Sequence, residues 1–180
     1  MHRLAPALLL LPCFAAGCNA SPETYPCPGT PVATFAFGGT RAQMSCAGGA
    51  PAAGANAIYP DQITTFTGTI SAASSSATAA LCVARPGAEP LVGTLLADQL
   101  DVALDSRGAL LAGCNARCAV TIHQQVTGTL LRQPDGTPSG FTGTLVDQAT
   151  LDTTVAGADC TPCTTPCTAT YALSSPPPGP

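Results

Sequence analysis

Cysteine is the residue type of this sequence that offers the widest range of chemistry. The chain of 180 residues contains ten cysteines but only two histidines. A cysteine can accept an acyl group, form a disulfide, ligate zinc as a thiolate or act as a redox nucleophile, and its surroundings decide among these roles. The positions of the cysteines are therefore the first guide to function.

The closest spacing of cysteines occurs in Cys160-Thr-Pro-Cys163, shortly before Cys167. This Cys-x-x-Cys segment resembles the motif of thiol oxidoreductases, in which a helix amino terminus lowers the pKa of the first thiol. No helical pattern begins here, so a structural role is favoured. Together with Cys114 and Cys118, the same cysteines could supply thiolates to zinc, but an oxidising compartment argues against free thiolates.

The first 20 residues have the layout of a secretory signal. Arg3 provides a cationic start, and the apolar run Ala5–Phe14 that follows is too short to span a membrane. Small residues come next, and Ala16-Gly17-Cys18 resembles the lipobox of bacterial lipoprotein precursors. In that family the signal is cut just before a cysteine that carries a diacylglyceryl group.

The resemblance implies that residues 1–17 are removed and that Cys18 is acylated. It also implies a location in the bacterial cell envelope, where Asn19 in place of aspartate favours the outer membrane over the inner one. Leucine is usual at the position of Ala15, which is a departure from the pattern. The alternative is an ordinary cleaved signal, after which Cys18 would join a disulfide.

The remaining cysteines predict a disulfide framework. Cys13 lies within the signal, and Cys18 is assigned to acylation. The other eight are Cys27, Cys46, Cys82, Cys114, Cys118, Cys160, Cys163 and Cys167. An even number in an exported chain indicates bridges, although the sequence does not fix which cysteines pair. Covalent support is expected because much of the apolar content is alanine and only 4% of residues are aromatic, which gives a thin core.

No other catalytic motif accompanies the cysteines. His123 is the histidine beyond the signal, and it lies in an alternating segment where a solvent-facing strand position is expected. Asp101 and Asp105 would share one face of a strand, an arrangement more typical of a solvated surface than of paired acids or a calcium site. We therefore expect a noncatalytic protein with no cofactor and no metal.

Charge and composition narrow the range of partners. The net charge is −4, and the six cationic residues are scattered arginines, whereas nucleic-acid binding requires clustered cations. No glycine-rich phosphate loop indicates a nucleotide. The absence of tryptophan argues against stacking on sugars. The expected partners are the membrane, through the lipid anchor, and another protein of the envelope.

Apolar and polar residues alternate with a period of two, which is typical of strands. Residues Val120–Arg132 and Phe141–Asp147 show this alternation on either side of Asp135-Gly136, a strong turn signal. They predict an antiparallel hairpin, and Leu100–Asp105 predicts a further strand. The core face of the hairpin should carry Val126, Leu130, Phe141 and Leu145. The fold class is therefore all-β, an antiparallel sandwich or small barrel stapled by disulfides.

Two repeated patterns accompany the strands. The short phrase apolar-x-Gly-Thr-apolar occurs at residues 66–70, 91–95, 126–130 and 141–145, and glycine within a strand permits close approach of another backbone. A longer similarity between residues 93–101 and 143–152 suggests an internal duplication.

The chain is expected to have four parts. These are a signal peptide at residues 1–17, a proline-rich tether at 18–31, a single β domain at 32–173 and a disordered tail at 174–180. We expect the domain to be a structural or protein-binding module displayed on the lipid tether. The alternative is a thiol–disulfide enzyme that uses Cys160 and Cys163.

Overall fold

The computed structural model describes residues 26–47, 52–53, 58, 63–74, 77–85, 87–109 and 114–176. The expectations for the signal peptide and for Cys18 lie outside the described residues. The described residues form nine strands: β1 (Thr30–Met44), β2 (Ala52–Ala53), β3 (Ile63–Ala72), β4 (Thr78–Val83), β5 (Leu91–Leu96), β6 (Gln99–Ala109), β7 (Val120–Arg132), β8 (Pro138–Leu151) and β9 (Cys167–Ser175). Within these ranges, no helix is long and apolar enough to cross a membrane.

Eight of the strands close into an antiparallel barrel. Apart from the short β2, each strand pairs with the next one along the chain, and β9 pairs with β1 to complete the circle. Closure gives each of these eight described strands a neighbour on both sides, which satisfies backbone groups that a sheet edge would expose. The predicted all-β, antiparallel class is confirmed, and the fold is the barrel.

The two ends of the barrel differ in their connections. At one end, the turn end, the strands are joined by residues 73–77, 97–98 and 133–137. At the other end, the loop end, they are joined by residues 45–62, 84–90, 110–119 and 152–166. The predicted turn at Asp135-Gly136 belongs to the turn end. Gly136 adopts a φ of +84°, and the N–H of Gln133 donates to the carbonyl of Thr137 at 2.9 Å.

The interior is filled from alternate strand positions. Val126 lies opposite Leu145 and Leu130 lies opposite Phe141 in the β7–β8 ladder. All four side chains are buried, so the predicted hairpin and its core face are confirmed. They belong to the main core, which also includes Phe37. A second cluster, the loop-end cluster, consists of Cys46, Cys118, Val120, Ile122, Ala149, Cys160 and Cys167.

The glycines of the repeated phrase allow strands to approach closely. Gly128 and Gly143 lie directly opposite each other. A Cβ on Gly128 would fall 2.4 Å from the carbonyl oxygen of Thr142 and 2.7 Å from the Cα of Gly143. The longer similarity does not extend to secondary structure, because residues 93–101 include the β5–β6 turn whereas residues 143–151 lie within the single strand β8.

The barrel extends beyond residues 32–173 at both ends. Strand β1 begins at Thr30, and β9 continues to Ser175. Before β1, Cys27 is bonded to Cys82, and the carbonyl of Pro28 accepts a hydrogen bond from the Ser71 hydroxyl. These contacts fix residues 27 and 28 against the outer face of β3 and β4.

Candidate functional site

All eight cysteines among the described residues are paired, and three of their four disulfides lie at the loop end. The expected disulfide framework is therefore present. One bridge joins the end of β1 to the start of β9, and two join the β6–β7 connection to the β8–β9 connection. In chain order the four bridges are Cys27–Cys82, Cys46–Cys167, Cys114–Cys163 and Cys118–Cys160.

The Cys-x-x-Cys motif does not form a redox pair. Cys160 is bonded to Cys118, and Cys163 is bonded to Cys114. A thiol oxidoreductase motif cycles between a dithiol and a disulfide joining its own two cysteines, which this pairing does not provide. The same bridges occupy the thiols that zinc would require as thiolates. The two cysteines therefore cross-link neighbouring connections.

A polar pair lies inside the barrel beside the loop-end cluster. Gln124 and Asp147 face each other across the β7–β8 ladder, and their side chains are 0% and 1% exposed. The Nε2 group of Gln124 donates to Oδ1 of Asp147 at 2.6 Å. Strand alternation explains the burial, because Gln124 occupies the inward position between Ile122 and Val126.

The same amide binds the backbone of Ile58, a residue of the β1–β3 connection. The N–H of Ile58 donates to Oε1 of Gln124 at 2.9 Å, and Nε2 of Gln124 donates to the carbonyl of Ile58 at 3.0 Å. With the bond to Asp147, both Nε2 hydrogens and the amide oxygen are used, which fixes the orientation of the amide. The Ile58 side chain is buried and packs in the main core.

Asp147 is held in an environment that does not suit a charge. Burial raises the pKa of Asp147 to about 7, and the hydrogen bond from Gln124 partly offsets this effect. Its second oxygen, Oδ2, is buried and has no hydrogen-bond partner among the described residues. Oγ of Ser106, on β6 opposite Ile122 of β7, is likewise buried and has no hydrogen-bond partner in the described part of the chain. Such unsatisfied groups cost about 1–3 kcal/mol each.

A cavity of about 290 Å³ adjoins Ile58. Its lining includes Thr64, Phe66, Val83 and Arg85. The strands on this side of the barrel are short, because β4 and β5 have 6 residues each whereas the flanking β3 and β6 have 10 and 11. Ile58 thus lies between an open cavity and the buried Gln124–Asp147 pair.

The β8–β9 connection is fixed by carboxylates as well as by disulfides. Oδ1 of Asp152 accepts hydrogen bonds from the backbone N–H and the hydroxyl of Thr154, and Asp159 does the same with Thr161. These bonds from the threonines hold the pKa of both carboxyl groups below the usual value. The connection therefore has a defined shape.

The outer acidic residues form cross-strand pairs. Nδ1 of His123 lies 2.7 Å from Oδ1 of Asp105, and Nε2 of Gln125 donates to Oδ1 of Asp101 at 2.7 Å. All four side chains face outward on β6 and β7, so the predicted solvent-facing position of His123 is confirmed. No group of three potential metal ligands is found among the described residues.

None of the patterns in the sequence predicts a functional role for Gln124, Asp147 or Ile58. A signal for the first two is present, because they continue the inward face of the predicted hairpin and so interrupt an apolar alternation with polar groups. Ile58 has no such signal. It stands alone in a segment rich in alanine and glycine, and only the fold brings it to Gln124.

In comparisons with protein-family models, curated proteins and solved structures, no significant match to this chain is found. A function for this chain is therefore inferred from the geometry of the barrel and from the residue pattern of the first 20 positions of the sequence.

Proposed function

We propose that the protein is a noncatalytic lipoprotein of the bacterial cell envelope, anchored through Cys18 in the outer membrane, and that its barrel binds another protein. The observation that carries the binding role is the loop end. Two of its connections are locked to each other by Cys114–Cys163 and Cys118–Cys160. Rigid loops lose little conformational entropy on association, which favours binding.

The surface that these connections present suits a protein partner. We call it the stapled surface and define it by Arg107, Arg117, Leu151 and Val155. Both aliphatic side chains are exposed, and the arginines approach carboxylates of the same connection, Arg117 lying 3.6 Å from Asp159. Arginine is enriched at protein interfaces, and the exposed aliphatic side chains beside it offer apolar area that association can bury.

The proposed anchor would keep the barrel near the membrane. Cys27 follows Cys18 by nine positions, a length of chain that reaches at most about 30 Å. Cys27 is bonded to Cys82 on β4, so the tether would end at the barrel wall. A partner would accordingly belong to the envelope or approach it from outside the cell.

The proposed binding of a protein at the stapled surface is tested by replacing Val155 with a photo-crosslinking residue and irradiating intact cells. Val92 on β5 is the matched control, because its exposure of 51% is close to the 40% of Val155. Only Val155 lies on the stapled surface. We expect a discrete adduct from position 155 that is absent from position 92. A membrane-bound protein that yields no adduct at 155, or the same adducts at both positions, contradicts the proposal.

The anchor is tested separately. Expressed in a suitable bacterium, the protein should partition into detergent and yield an acylated amino-terminal peptide that starts at Cys18. Cys18→Ser should release the protein or stall its processing. A soluble mature chain with unmodified Cys18 would show that the anchor is wrong. Membrane fractionation distinguishes the outer from the inner membrane.

A further inference from the structure

Gln124 provides Ile58 with the contacts that a neighbouring strand would provide. Its side-chain amide offers one donor and one acceptor, and these bind the carbonyl and the N–H of the same residue. The aliphatic side chain of that residue enters the main core. The barrel therefore recognises a peptide group and a branched aliphatic side chain together.

The surroundings of Ile58 have features of a binding site. Oδ2 of Asp147 is buried and has no partner in the described part of the chain, although buried polar groups in folded proteins are usually satisfied. The cavity of about 290 Å³ adjoins Ile58 on the side of the barrel where β4 and β5 are short. Buried polar groups beside a cavity with partly apolar walls are typical of recognition sites.

We propose that this part of the barrel is a recognition site for an extended peptide segment with a branched aliphatic side chain, and that Ile58 is its internal occupant. The inference rests on the protein-binding function proposed above and names the chemistry of the partner. Gln124 binds the peptide group, the main core receives the side chain, and Asp147 is a positioning residue that orients the amide.

The internal occupant sets the expected affinities. A tethered Ile58 acts as a competitor with an effective concentration on the order of millimolar, so a free peptide should bind the unaltered protein weakly. Shortening the Ile58 side chain removes the aliphatic contact and should strengthen binding of the free peptide. A peptide group can use both the donor and the acceptor that Gln124 offers, whereas a carboxylate can only accept. A ligand with a peptide group is therefore expected.

The test uses N-acetylisoleucine N-methylamide as the probe and nitrogen-15 magnetic resonance of the Gln124 side-chain amide as the readout. In Ile58→Gly the dissociation constant should fall by about tenfold or more relative to the unaltered protein. Adding Gln124→Leu to that variant should abolish binding. Because this double variant lacks the Gln124 amide, backbone resonances of β7 serve as its readout. The matched control is Gln125→Leu, which alters the outward neighbour bonded to Asp101 and should leave binding intact.

The glycine analogue of the probe, which lacks the aliphatic side chain, should not bind. If Ile58→Gly fails to fold, Ile58→Ala shortens the same side chain and is judged by the same criteria. Absence of probe-induced shifts in a folded Ile58 variant, or equal binding after Gln124→Leu, overturns the inference. Adducts at Val155 without probe binding would support the proposed function and reject this site. Probe binding without adducts at Val155 would support the site and reject the stapled surface.

Discussion

The main core and the loop-end cluster are held together by different means. In the main core, Phe37 stacks on Phe66 with ring centroids 4.8 Å apart and meets Phe141 edge-on at 5.5 Å. The loop-end cluster has no aromatic member and contains four half-cystines with small aliphatic residues. Covalent bonds add to the apolar contacts there. This difference shows how a chain poor in aromatic residues can retain buried polar groups at one end without losing its fold.

The largest effect is expected from removing the bridge that ties the loop end to the barrel. Cys46→Ala with Cys167→Ala should lower the free energy of unfolding by about 5 kcal/mol, because this disulfide joins positions 121 apart and strongly restricts the unfolded chain. Denaturant unfolding monitored by circular dichroism measures the loss.

The control for that variant is Cys114→Ala with Cys163→Ala. The neighbouring Cys118–Cys160 bridge already closes nearly the same loop, so the further loss should be only about 2–3 kcal/mol. Equal losses for the two pairs would show that restriction of the unfolded chain does not explain how the disulfides stabilise the loop end.

The buried carboxyl group should make stability depend on pH. The pKa of Asp147 is about 7 in the folded protein and 3.8 ordinarily, so the folded state binds the proton more tightly. The stability this group provides is complete below pH 3.8 and is lost as the pH rises through 7. The loss should reach about 4 kcal/mol, measured as the difference in unfolding free energy from Asp147→Asn across pH 4 to 8.

Asp147→Asn keeps an acceptor for Gln124 and removes the titration, so it should be the more stable protein at pH 8. The control is Asp105→Asn, whose carboxylate lies on the exposed outer face beside His123 and should not reproduce the effect. Parallel pH profiles for the unaltered protein and Asp147→Asn would mean that the buried carboxyl does not titrate in this range.

The difference between the two regions also explains what the sequence could predict. Alternation identifies the β7–β8 hairpin because Val126, Leu130, Phe141 and Leu145 share one face, and cysteine count indicates the bridges. Barrel closure is harder to predict, since the pairing of β9 with β1 depends on the whole sheet. The contact of Ile58 with Gln124 joins positions 66 apart, and no local pattern encodes such a pair.

Glycines of the repeated phrase should differ in their tolerance of a side chain. Gly128→Ala should cost about 1–3 kcal/mol, because the added Cβ meets backbone atoms of Thr142 and Gly143 that cannot move independently. Gly68→Ala is the comparison, since its Cβ would meet side-chain atoms, 3.0 Å from Leu81 and 3.2 Å from Phe37. Gly68→Ala should therefore lower the free energy of unfolding by less than Gly128→Ala does, as measured by thermal unfolding. A larger cost at Gly68 would contradict the close-approach explanation.

The smallest effect is expected at the turn end, where β5 and β6 are joined by two residues. Ala97 and Asp98 have φ values of 44° and 70°, the left-handed region that a short hairpin turn of this kind requires. An alanine is strained there and glycine is not, so Ala97→Gly should raise the free energy of unfolding by about 0.5–1 kcal/mol after the added entropy of the unfolded chain is counted. The same substitution at Ala103, within β6, should be destabilising by a similar amount. A loss of stability at both positions would show that Ala97 is not strained.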